Sequence, residues 1–384
     1  MIPYGRQDIT QDDIDAVIKV LKSDFLTQGP VVPDFENKIA NHVGVDHSVA
    51  FNSATSALHA ACLALDLGPG DLLWTSPISF VASANCGLYC GAKIDFIDIN
   101  PQTFNICPLE LEKKLIIAKK LKNLPKVLVL VHMCGHPSDL EEISTLAKKY
   151  KVRLIEDASH AVGAKYKNKR IGSCFYSDIT IFSFHPVKII TTGEGGMALT
   201  NIPELAEKMT LSRTHGITRD VNKMSQNDGP WYYQQIGLGF NYRMTDIQAA
   251  LGITQCERLD SYVAKRNEIA NFYNKALSSL PVKTPVIQKD SYSSYHLYIV
   301  RLNLKAICSS HHEVFVKLRE LGIGVNLHYI PIHLHPYYQN LGFQKGDFPN
   351  AEIFYSEAIS LPMFPSISDE SMQEVVNKLE LSLN

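Results

Sequence analysis

The sequence predicts an α/β fold in which helices cover both faces of a mostly parallel β-sheet. Short apolar runs rich in Val, Leu and Ile alternate with segments of helical periodicity from residue 48 to residue 156. A strand that is buried on both faces reads as a continuous hydrophobic run, so this alternation favours parallel strands connected by helices. After residue 256 the elements are shorter and have their own apolar faces. We therefore predict a large domain over residues 1–256 and a smaller C-terminal α+β domain over residues 257–384.

The individual elements follow from periodicity and from capping and turn residues. Thr10, with Asp13 three residues later, is typical of a helix N-terminus. The predicted helices span residues 11–22, 33–42, 55–65, 79–89, 108–118, 138–150 and, as one largely helical stretch, 245–277. The predicted strands span residues 48–51, 72–76, 94–97, 127–132, 152–156, 179–184 and 197–200. Residues 217–239 are polar, glycine-bearing and aromatic, which indicates a long surface loop.

The composition excludes several classes of function. With 37 basic and 39 acidic side chains among 384 residues, the chain has no charge excess that would favour nucleic acid or an anionic membrane as a partner. No apolar stretch approaches the roughly 20 residues that span a bilayer, and the first residues lack the apolar core of a signal peptide. We therefore expect a cytoplasmic protein that acts on small molecules.

The eight cysteines indicate neither a metal centre nor a disulfide framework. They form no CxxC pair, and several lie among apolar residues. Cys86 and Cys90 share one helix face at a spacing of four residues, where packing is a simpler explanation than a metal or redox role. We expect reduced, mostly buried thiols and no bound metal.

Lys188 is the first candidate catalytic residue. It lies between the apolar residues of a predicted strand and the glycines at 193, 195 and 196, where a solvated ammonium group has no obvious structural purpose. The alternative is a surface lysine on a loop, but glycines permit close approach of the backbone to a ligand. An aldehyde cofactor such as pyridoxal phosphate requires an amine that holds it as an imine, and Lys188 can supply that amine.

Asp157 is the candidate partner for the ring nitrogen of such a cofactor. It follows an apolar run at the end of a predicted strand, where parallel sheets bind ligands. A buried carboxylate requires a cationic partner, which a protonated pyridine nitrogen would provide. Helix capping is the alternative role, although Ser159 could serve equally as the cap. His160 is expected near the cofactor ring or its hydroxyl group, with simple packing as its alternative.

The cofactor phosphate is expected at the start of a helix. Ser53, Ala54 and Thr55 begin the helix that follows a strand, and a helix N-terminus presents free N–H groups and the positive end of its dipole. Capping without a ligand is the alternative for this group. Ser183, five residues before the lysine, could add a hydroxyl. Phe80, at the next strand end, is the candidate aromatic cover of the cofactor ring, with core packing as its alternative.

A set of motifs in family order gives the chain a resemblance that covers nearly its whole length. The sequence resembles the DegT/StrS-type sugar-nucleotide aminotransferases, a branch of the fold-type I pyridoxal-phosphate enzymes. The motifs are LTQG, NSATSAL, SPISFVASAN, EDASHAVGA, SFHPVKIITTGEGG, RTHG, NYRMTDIQAALG, HYIPIHLHPYY and SLPMFP. The resemblance implies the three-layer fold of that class. Within the family it is nearest to the transaminases of the pseudaminic acid pathway, which aminate carbon 4 of a UDP-linked 4-keto-6-deoxy-N-acetyl sugar using glutamate.

The resemblance also implies roles for single residues. Lys188 would hold the cofactor as the internal aldimine, Asp157 would pair with the pyridine nitrogen, and Ala54, Thr55 and Ser183 would receive the phosphate. Asn241 would reach the phosphate of the neighbouring subunit's cofactor, so the family pattern implies a homodimer with shared active sites.

Two further residues would contact substrate according to the resemblance. Arg243 would be available to an anionic group of the amino donor or the sugar nucleotide, and a structural ion pair is its alternative. His328 matches a family position beside the substrate sugar, with packing as its alternative. The chain departs from many relatives at His160, where they have glutamine.

Three alternative functions stay open at this point. A relative that acts at carbon 3, or on a dTDP-linked 4-keto sugar, would share nearly every cofactor residue. A dehydratase of the same fold would replace the lysine with histidine or add cysteine ligands for an iron–sulfur cluster. Lys188 is present and the sequence has no such cysteine group, and both observations argue against a dehydratase. A regulatory protein that binds the cofactor without catalysis would be expected to lose Lys188, Asp157 or the glycine turn.

Overall fold

The computed structural model describes residues 1–383, in which helices and strands alternate over most of the chain. The α-helices are α1 (Gln11–Leu21), α2 (Val31–Val43), α3 (Ala54–Ala64), α4 (Ala82–Tyr89), α5 (Pro108–Lys120), α6 (Leu140–Tyr150), α7 (Pro203–Arg213), α8 (Asp246–Glu257), α9 (Leu259–Ala276), α10 (His311–Glu320), α11 (Pro336–Gln339), α12 (Pro349–Glu357) and α13 (Asp369–Leu383). Short 3₁₀ helices lie at Met133–Gly135 and Ile332–Leu334.

The strands are short, as expected for an α/β fold. They are β1 (Ile2–Pro3), β2 (His47–Phe51), β3 (Leu72–Thr75), β4 (Lys93–Phe96), β5 (Val127–Val131), β6 (Arg153–Asp157), β7 (Lys165–Tyr166), β8 (Lys169–Arg170), β9 (Ile179–Ser183), β10 (Gly196–Thr200), β11 (Ile217–Thr218), β12 (Gln234–Gln235), β13 (Val282–Lys283), β14 (Ser291–Tyr292), β15 (Tyr298–Leu302), β16 (Ile323–Gly324) and β17 (Ala358–Leu361).

A seven-stranded sheet in the order β2-β10-β9-β6-β5-β3-β4 forms the centre of the fold. The pairs β6–β9, β5–β6, β3–β5 and β3–β4 are parallel, whereas β10 runs antiparallel to both of its neighbours. The register pairs Val131 with Asp157 and Asp157 with Ile181, so the carboxyl ends of three strands lie side by side. The predicted mostly parallel sheet is therefore confirmed.

Helices pack on both faces of this sheet and bury two separate apolar clusters. Leu128 and Leu130 of β5 belong to one cluster, together with residues of α2, α5 and α6. Val127 and Val129 of the same strand belong to the other, together with residues of α3 and α4. Successive side chains of a strand point to opposite faces, so the alternation along β5 defines a three-layer arrangement.

A third apolar cluster lies in the C-terminal part of the chain. It joins the sheet β13-β15-β17 to side chains of α9, α10 and α13. The division at residues 256 and 257 falls within one residue of the end of α8 and stays a prediction. Contacts cross this division; for example, β1 pairs with β16, and Phe348 and Phe354 pack into the cluster of α3 and α4.

Several predicted bounds differ from the structure. The helix predicted at 79–89 begins at Ala82, because the preceding residues form a turn in which the N–H of Ile78 donates to the Ser76 hydroxyl at 3.2 Å. The stretch 245–277 is two helices, α8 and α9, with Arg258 between them. The predicted loop 217–239 contains the short antiparallel pair β11–β12.

Residues 1–383 contain neither a helix that could cross a membrane nor a candidate metal site. No helix there is both long enough and apolar enough to cross a membrane. No group of three or more His, Cys, Asp or Glu side chains in that range could hold a metal ion. Most of the cysteines are buried, and all eight are free thiols, as the sequence predicts.

Candidate active site

A cavity of about 820 Å³ lies at the carboxyl ends of β5, β6 and β9. Val131, Asp157 and Ser183, the last residues of these three strands, all line it. Its wall contains nine of the predicted site residues, namely Ser53, Ala54, Thr55, Phe80, Asp157, His160, Ser183, Lys188 and His328. The fold therefore collects groups that are far apart in the sequence at the edge where parallel sheets bind ligands.

Lys188 lies in the bend after β9, where its backbone N–H donates to the carbonyl of His185 at 2.9 Å. Its side chain is partly buried, and across residues 1–383 no acceptor forms a hydrogen bond with its ammonium group. Burial lowers the pKa of Lys188 to about 8, and the negative charge of Asp157 opposes that shift. A lysine in this state carries a substantial neutral fraction near physiological pH, as nucleophilic attack on an aldehyde requires.

Asp157 is 5% exposed and ends β6. Its Oδ2 accepts a hydrogen bond from the Ser83 hydroxyl at 2.6 Å, and its Oδ1 accepts from the N–H of Ser159 at 3.2 Å. No cationic side chain forms an ion pair with it within the described chain. The alternative role of helix capping is not supported, because β6 is followed by turns and not by a helix, and Asp157 lines the cavity. A buried anion without a protein counterion suits a cationic ring nitrogen.

The start of α3 offers free hydrogen-bond donors to the cavity. The Ser53 hydroxyl caps the helix by accepting from the N–H of Ser56 at 3.2 Å. The N–H groups of Ala54 and Thr55 have no partner among the described residues. Ser183 adds a hydroxyl from the end of β9. Capping uses the Ser53 oxygen as an acceptor and leaves its hydroxyl proton, so the two free N–H groups and the neighbouring hydroxyls can donate to an anion.

The glycine-rich turn after Lys188 brings β10 against this helix start. A β-carbon at residue 196 would lie 2.4 Å from the backbone nitrogen of Ala54, which no side chain tolerates. Gly193 has a φ of +80°, in the left-handed region that glycine favours. Gly196 therefore makes close contact with the helix N-terminus, whereas the predicted approach of the glycine backbone to a ligand stays a prediction.

His160 is packed and also lines the cavity. Its Nε2 forms a hydrogen bond with the Tyr329 hydroxyl at 3.1 Å, and its ring lies 4.4 Å from that of His296 between centroids. Its Nδ1 is buried without a hydrogen-bond partner in the described part of the chain. Burial lowers the pKa of His160 and of His296 well below the usual value, and the charge of Lys188 lowers both further. Both imidazoles are therefore neutral near pH 7.

His328 and Phe80 both line the same cavity. The Nδ1 of His328 forms a hydrogen bond with the Ser360 hydroxyl at 2.8 Å, and burial together with Lys188 lowers the pKa of His328 to about 3. Phe80 is 58% exposed and lies 6.3 Å from the Tyr329 ring between centroids. The alternative of core packing is therefore wrong for Phe80, because its ring is exposed and lines the cavity.

Two predicted site residues do not line the cavity. Asn241 is exposed, and its carbonyl accepts from the Asn52 side chain at 3.4 Å. Arg243 is partly exposed and forms no ion pair with any of residues 1–383, so the structural alternative for Arg243 finds no support. Their expected roles toward a neighbouring subunit stay predictions.

The sequence reasoning missed several residues of the wall. They include Tyr4, Ser79, His185, Glu194, Gln248, His296 and Tyr329, and Ser83 lies behind the wall. Ser79 and Ser83 lie inside the motif SPISFVASAN, and Tyr329 lies inside HYIPIHLHPYY, so those motifs were the available signal. His296 lies outside all of the family motifs.

The residues present fit pyridoxal phosphate. Unpaired N–H groups at a helix start suit a phosphate, an unpaired buried carboxylate suits a ring nitrogen, and an unpaired lysine of lowered pKa suits an aldehyde. Together with the three-layer sheet, this constellation defines a fold-type I enzyme that depends on pyridoxal phosphate.

The family assignment follows from comparison with known proteins. Residues 7–380 match the DegT/DnrJ/EryC1/StrS aminotransferase family, and the chain belongs to that family. It is therefore a sugar aminotransferase with pyridoxal phosphate as its cofactor. The fold class, the cofactor and the transaminase activity predicted from the sequence are confirmed.

Individual relatives cover almost the whole chain. It is 42% identical, over 94% of its length and 92% of the relative, to a UDP-4-amino-4,6-dideoxy-N-acetyl-beta-L-altrosamine transaminase of Campylobacter jejuni. It is 38% identical, over 98% and 95%, to the spore coat polysaccharide biosynthesis protein SpsC of Bacillus subtilis. Among solved structures, Helicobacter pylori PseC, an aminotransferase involved in pseudoaminic acid biosynthesis, superposes with a TM-score of 0.90 at 33% identity over 100% and 99% of the two chains.

Proposed function

We propose that the protein transfers the amino group of L-glutamate to carbon 4 of a UDP-linked 4-keto-6-deoxy-N-acetyl sugar, in a pathway of the pseudaminic acid type. The observation that carries the chemical part is the unpaired, partly buried Lys188 with a pKa of about 8 in one cavity with Asp157 and the start of α3. The names of the relatives from Campylobacter and Helicobacter support the substrate part.

Lys188 is proposed to act as covalent anchor and as general acid and base. With pyridoxal phosphate bound, its amine would take the proton from the α-carbon of the amino donor and would deliver a proton to the cofactor carbon bonded to the transferred nitrogen. A positioned proton transfer of this kind contributes about 100- to 10,000-fold to a rate. The lowered pKa suits this role, because a lysine with an ordinary pKa would stay protonated and could not accept a proton.

Asp157 is proposed to keep the pyridine nitrogen of the cofactor protonated. The bound cofactor supplies an electron sink for the negative charge that develops at the donor's α-carbon. The carboxyl group of Asp157 accepts hydrogen bonds from Ser83 and Ser159 and is shielded from water by its burial. The N–H groups of Ala54 and Thr55, with the Ser183 hydroxyl, are proposed to bind the phosphate, and the Phe80 ring to cover one face of the cofactor.

His160 is proposed to lie beside the cofactor ring and His328 beside the substrate sugar. Both are neutral near pH 7, so they can exchange hydrogen bonds with hydroxyl groups without adding charge near Lys188. A sugar hydroxyl is both donor and acceptor, and a neutral imidazole matches it in either role.

The alternative within the family is amination of a 3-keto sugar, or of a dTDP-linked 4-keto sugar. The cofactor residues do not discriminate among these substrates, and the identities to SpsC and to the Campylobacter transaminase differ by only a few per cent. A cofactor-binding regulator without catalysis is the third candidate, and the presence of Lys188 and Asp157 in one cavity argues against it.

A substrate panel tests the proposal. The purified holoenzyme is incubated with L-glutamate and with 4-keto and 3-keto nucleotide sugars on UDP and on dTDP, and the aminated products are identified by mass spectrometry and NMR. We expect amination at carbon 4 of the UDP sugar. Exclusive conversion of a 3-keto sugar would overturn the choice of carbon, and preference for dTDP would overturn the choice of nucleotide.

Two variants test the chemical part. Lys188→Ala is expected to lose turnover and the visible absorbance of the cofactor imine, whereas Lys165→Ala, a partly buried lysine outside the cavity, is expected to keep both. In the wild-type protein that absorbance is expected to disappear when glutamate is added. A band that persists with glutamate would favour the silent regulator.

A homodimer with shared active sites forms the second part of the proposal. Asn241 and Arg243 lie outside the cavity of their own protomer, and the neighbouring segment exposes large apolar side chains at Trp231 and Leu238, with exposed fractions of 71% and 84%. We propose that the partner subunit covers these two apolar side chains. Asn241 is proposed to reach the phosphate in the neighbouring protomer and Arg243 an anionic group of its substrate.

Subunit mixing tests this part. Lys188→Ala and Asn241→Ala are each expected to be nearly inactive alone. If the sites are shared, random mixing creates hybrid dimers with one intact site, so the mixture is expected to regain about a quarter of the wild-type turnover. A mixture as inactive as its components, or a monomer in sedimentation, would contradict shared sites.

A further inference from the structure

Three buried oxygen atoms form a hydrogen-bonded chain behind the cavity wall. The Ser83 hydroxyl donates to Oδ2 of Asp157 at 2.6 Å, and the Ser79 and Ser83 hydroxyls lie 2.7 Å apart. Ser83 is fully buried, and Ser79 and Asp157 are 4% and 5% exposed. Ser79 lines the cavity, so the chain leads from the cavity wall to the acid.

The hydrogen-bonding capacities of the three groups determine which oxygen donates in each bond. An ionised carboxylate only accepts hydrogen bonds, so Ser83 donates its single hydroxyl proton to Asp157. The oxygen of Ser83 must then accept from Ser79, which becomes the outer donor of the chain. Asp157 thus receives one hydroxyl donor on Oδ2 and one backbone donor, from Ser159, on Oδ1.

We propose that Ser83 is a positioning residue that holds the Asp157 carboxylate ionised and aimed at the ring nitrogen of the cofactor. The proposal rests on pyridoxal phosphate as the cofactor and not on the identity of the sugar. Burial by itself favours the neutral form of a carboxyl group, and hydrogen bonds to the charged form oppose that preference. At 2.6 Å the Ser83 bond has the length of a charge-assisted bond, the stronger class of hydrogen bond.

Ser83 also connects Asp157 to the segment that carries Phe80, the proposed cover of the cofactor ring. Ser83 lies in the first turn of α4, and Phe80 lies just before that helix. Residues 79–83 therefore supply a hydroxyl that lines the cavity, the aromatic ring of Phe80 and the hydrogen-bond donor to Asp157. A shift at the start of α4 would move all three together.

Ser83→Ala tests this role through the protonation of the ring nitrogen. Without the hydroxyl, the proton shared between Asp157 and the nitrogen is expected to move toward the carboxylate. The holoenzyme is loaded with pyridoxal phosphate labelled with ¹⁵N in the ring, and the ¹⁵N resonance is recorded without any sugar. We expect the resonance to shift toward the value of a neutral pyridine, and kcat to fall about tenfold with little change in the KM for glutamate.

Ser177→Ala is the matched control. The Ser177 hydroxyl donates to Oε1 of Glu156 at 2.5 Å, so the control removes a partly buried hydroxyl donor from Glu156, the carboxylate next to Asp157 in β6. Glu156 and Asp157 are adjacent in β6 and therefore point to opposite faces of the sheet. We expect an unchanged ¹⁵N resonance in Ser177→Ala and a wild-type resonance in Ser83→Thr, which keeps the hydroxyl.

A double-mutant cycle separates the proposed role from a general loss of structure. In an Asp157→Asn background, Ser83→Ala is expected to cause no further fall in kcat, because the charge that it supports is absent. Identical ¹⁵N resonances in wild type and Ser83→Ala, or equal shifts in Ser83→Ala and Ser177→Ala, would overturn the proposal. A wild-type protein without any bound resonance would overturn the cofactor assignment, and the proposal with it.

Discussion

A β-carbon at residue 196 would lie 2.4 Å from the backbone nitrogen of Ala54. The first residue of β10 thus packs directly against the first residue of α3, and no flexible side chain separates them. The free N–H groups of this helix start are the proposed phosphate site, so their position depends on the absence of a side chain at Gly196.

Gly196→Ala is therefore expected to weaken cofactor binding. The added methyl group must displace the start of α3, and such overpacking costs about 1–3 kcal/mol. We expect the dissociation constant for pyridoxal phosphate, measured by fluorescence titration, to rise tenfold or more. Gly68→Ala is the control, because a β-carbon there meets no atom within 4 Å. Equal affinities of the two variants would contradict the role of this contact.

Lys188 is expected to destabilise the cofactor-free protein at neutral pH. Its pKa is about 8 in the folded protein and about 10.5 in an unfolded chain. Below pH 8 the folded protein therefore contains a buried charged lysine, which lowers the free energy of unfolding. The unfolded state binds more protons between pH 8 and pH 10.5, so that cost disappears as the pH rises through this window.

Lys188→Met in the cofactor-free form is thus expected to raise the free energy of unfolding at pH 7 by up to about 3 kcal/mol. The gain should shrink above pH 8 and vanish near pH 10.5. Urea unfolding of both proteins at a series of pH values measures it. A gain that does not change with pH would show that packing, and not the buried charge, is the cause.

His328 is expected to make the protein less stable in acid. Its pKa is lowered from 6.5 to about 3 in the folded state, so below pH 6.5 the unfolded chain takes up a proton that the folded protein does not. Stability is therefore lost as the pH falls from 6.5 toward 3, by up to about 1.4 kcal/mol per pH unit.

His328→Gln should reduce this acid slope, whereas His312→Gln, at an exposed position, serves as the control. The comparison is made on cofactor-free protein by thermal unfolding between pH 7 and pH 5. The same slope in wild type and His328→Gln would show that His328 gains its proton in the folded state.

Phe80→Ala is expected to reduce cofactor affinity without reducing stability. The ring is 58% exposed in a cavity wall, so its loss removes a stacking surface and little buried area. Phe175 is 59% exposed and does not line the cavity, which makes Phe175→Ala a matched control. We expect several-fold weaker binding of pyridoxal phosphate in Phe80→Ala and equal unfolding temperatures in both variants. A large fall in the unfolding temperature of Phe80→Ala would indicate packing.

The sequence predicted those site residues that lie at the ends of strands or at the start of a helix. Asp157 at the end of an apolar run, the small polar residues that begin α3, and Lys188 before a glycine turn all follow local rules. Parallel strands place their carboxyl ends at one edge, so these groups meet in any fold of this class. The same rule does not assign a partner to each group.

The partners depend on contacts between distant parts of the chain. Ser83 and Asp157 are 74 residues apart, and His160 and Tyr329 are 169 residues apart. His296 was missed because nothing near it in the sequence distinguishes a cavity-lining histidine from a buried one. Phe80 could equally have been a core residue, and only the structure shows its exposed ring.

The order of strands and helices, the lysine, the acid and the helix N-terminus can be read from the amino-acid sequence, because periodicity and local turn chemistry encode them. The folded structure adds that Lys188 is unpaired and has a lowered pKa, that Gly196 touches Ala54, and that a serine hydroxyl donates to Asp157. Those properties arise from burial and from distances between segments that fold together, and neither burial nor distance is a local property of the chain.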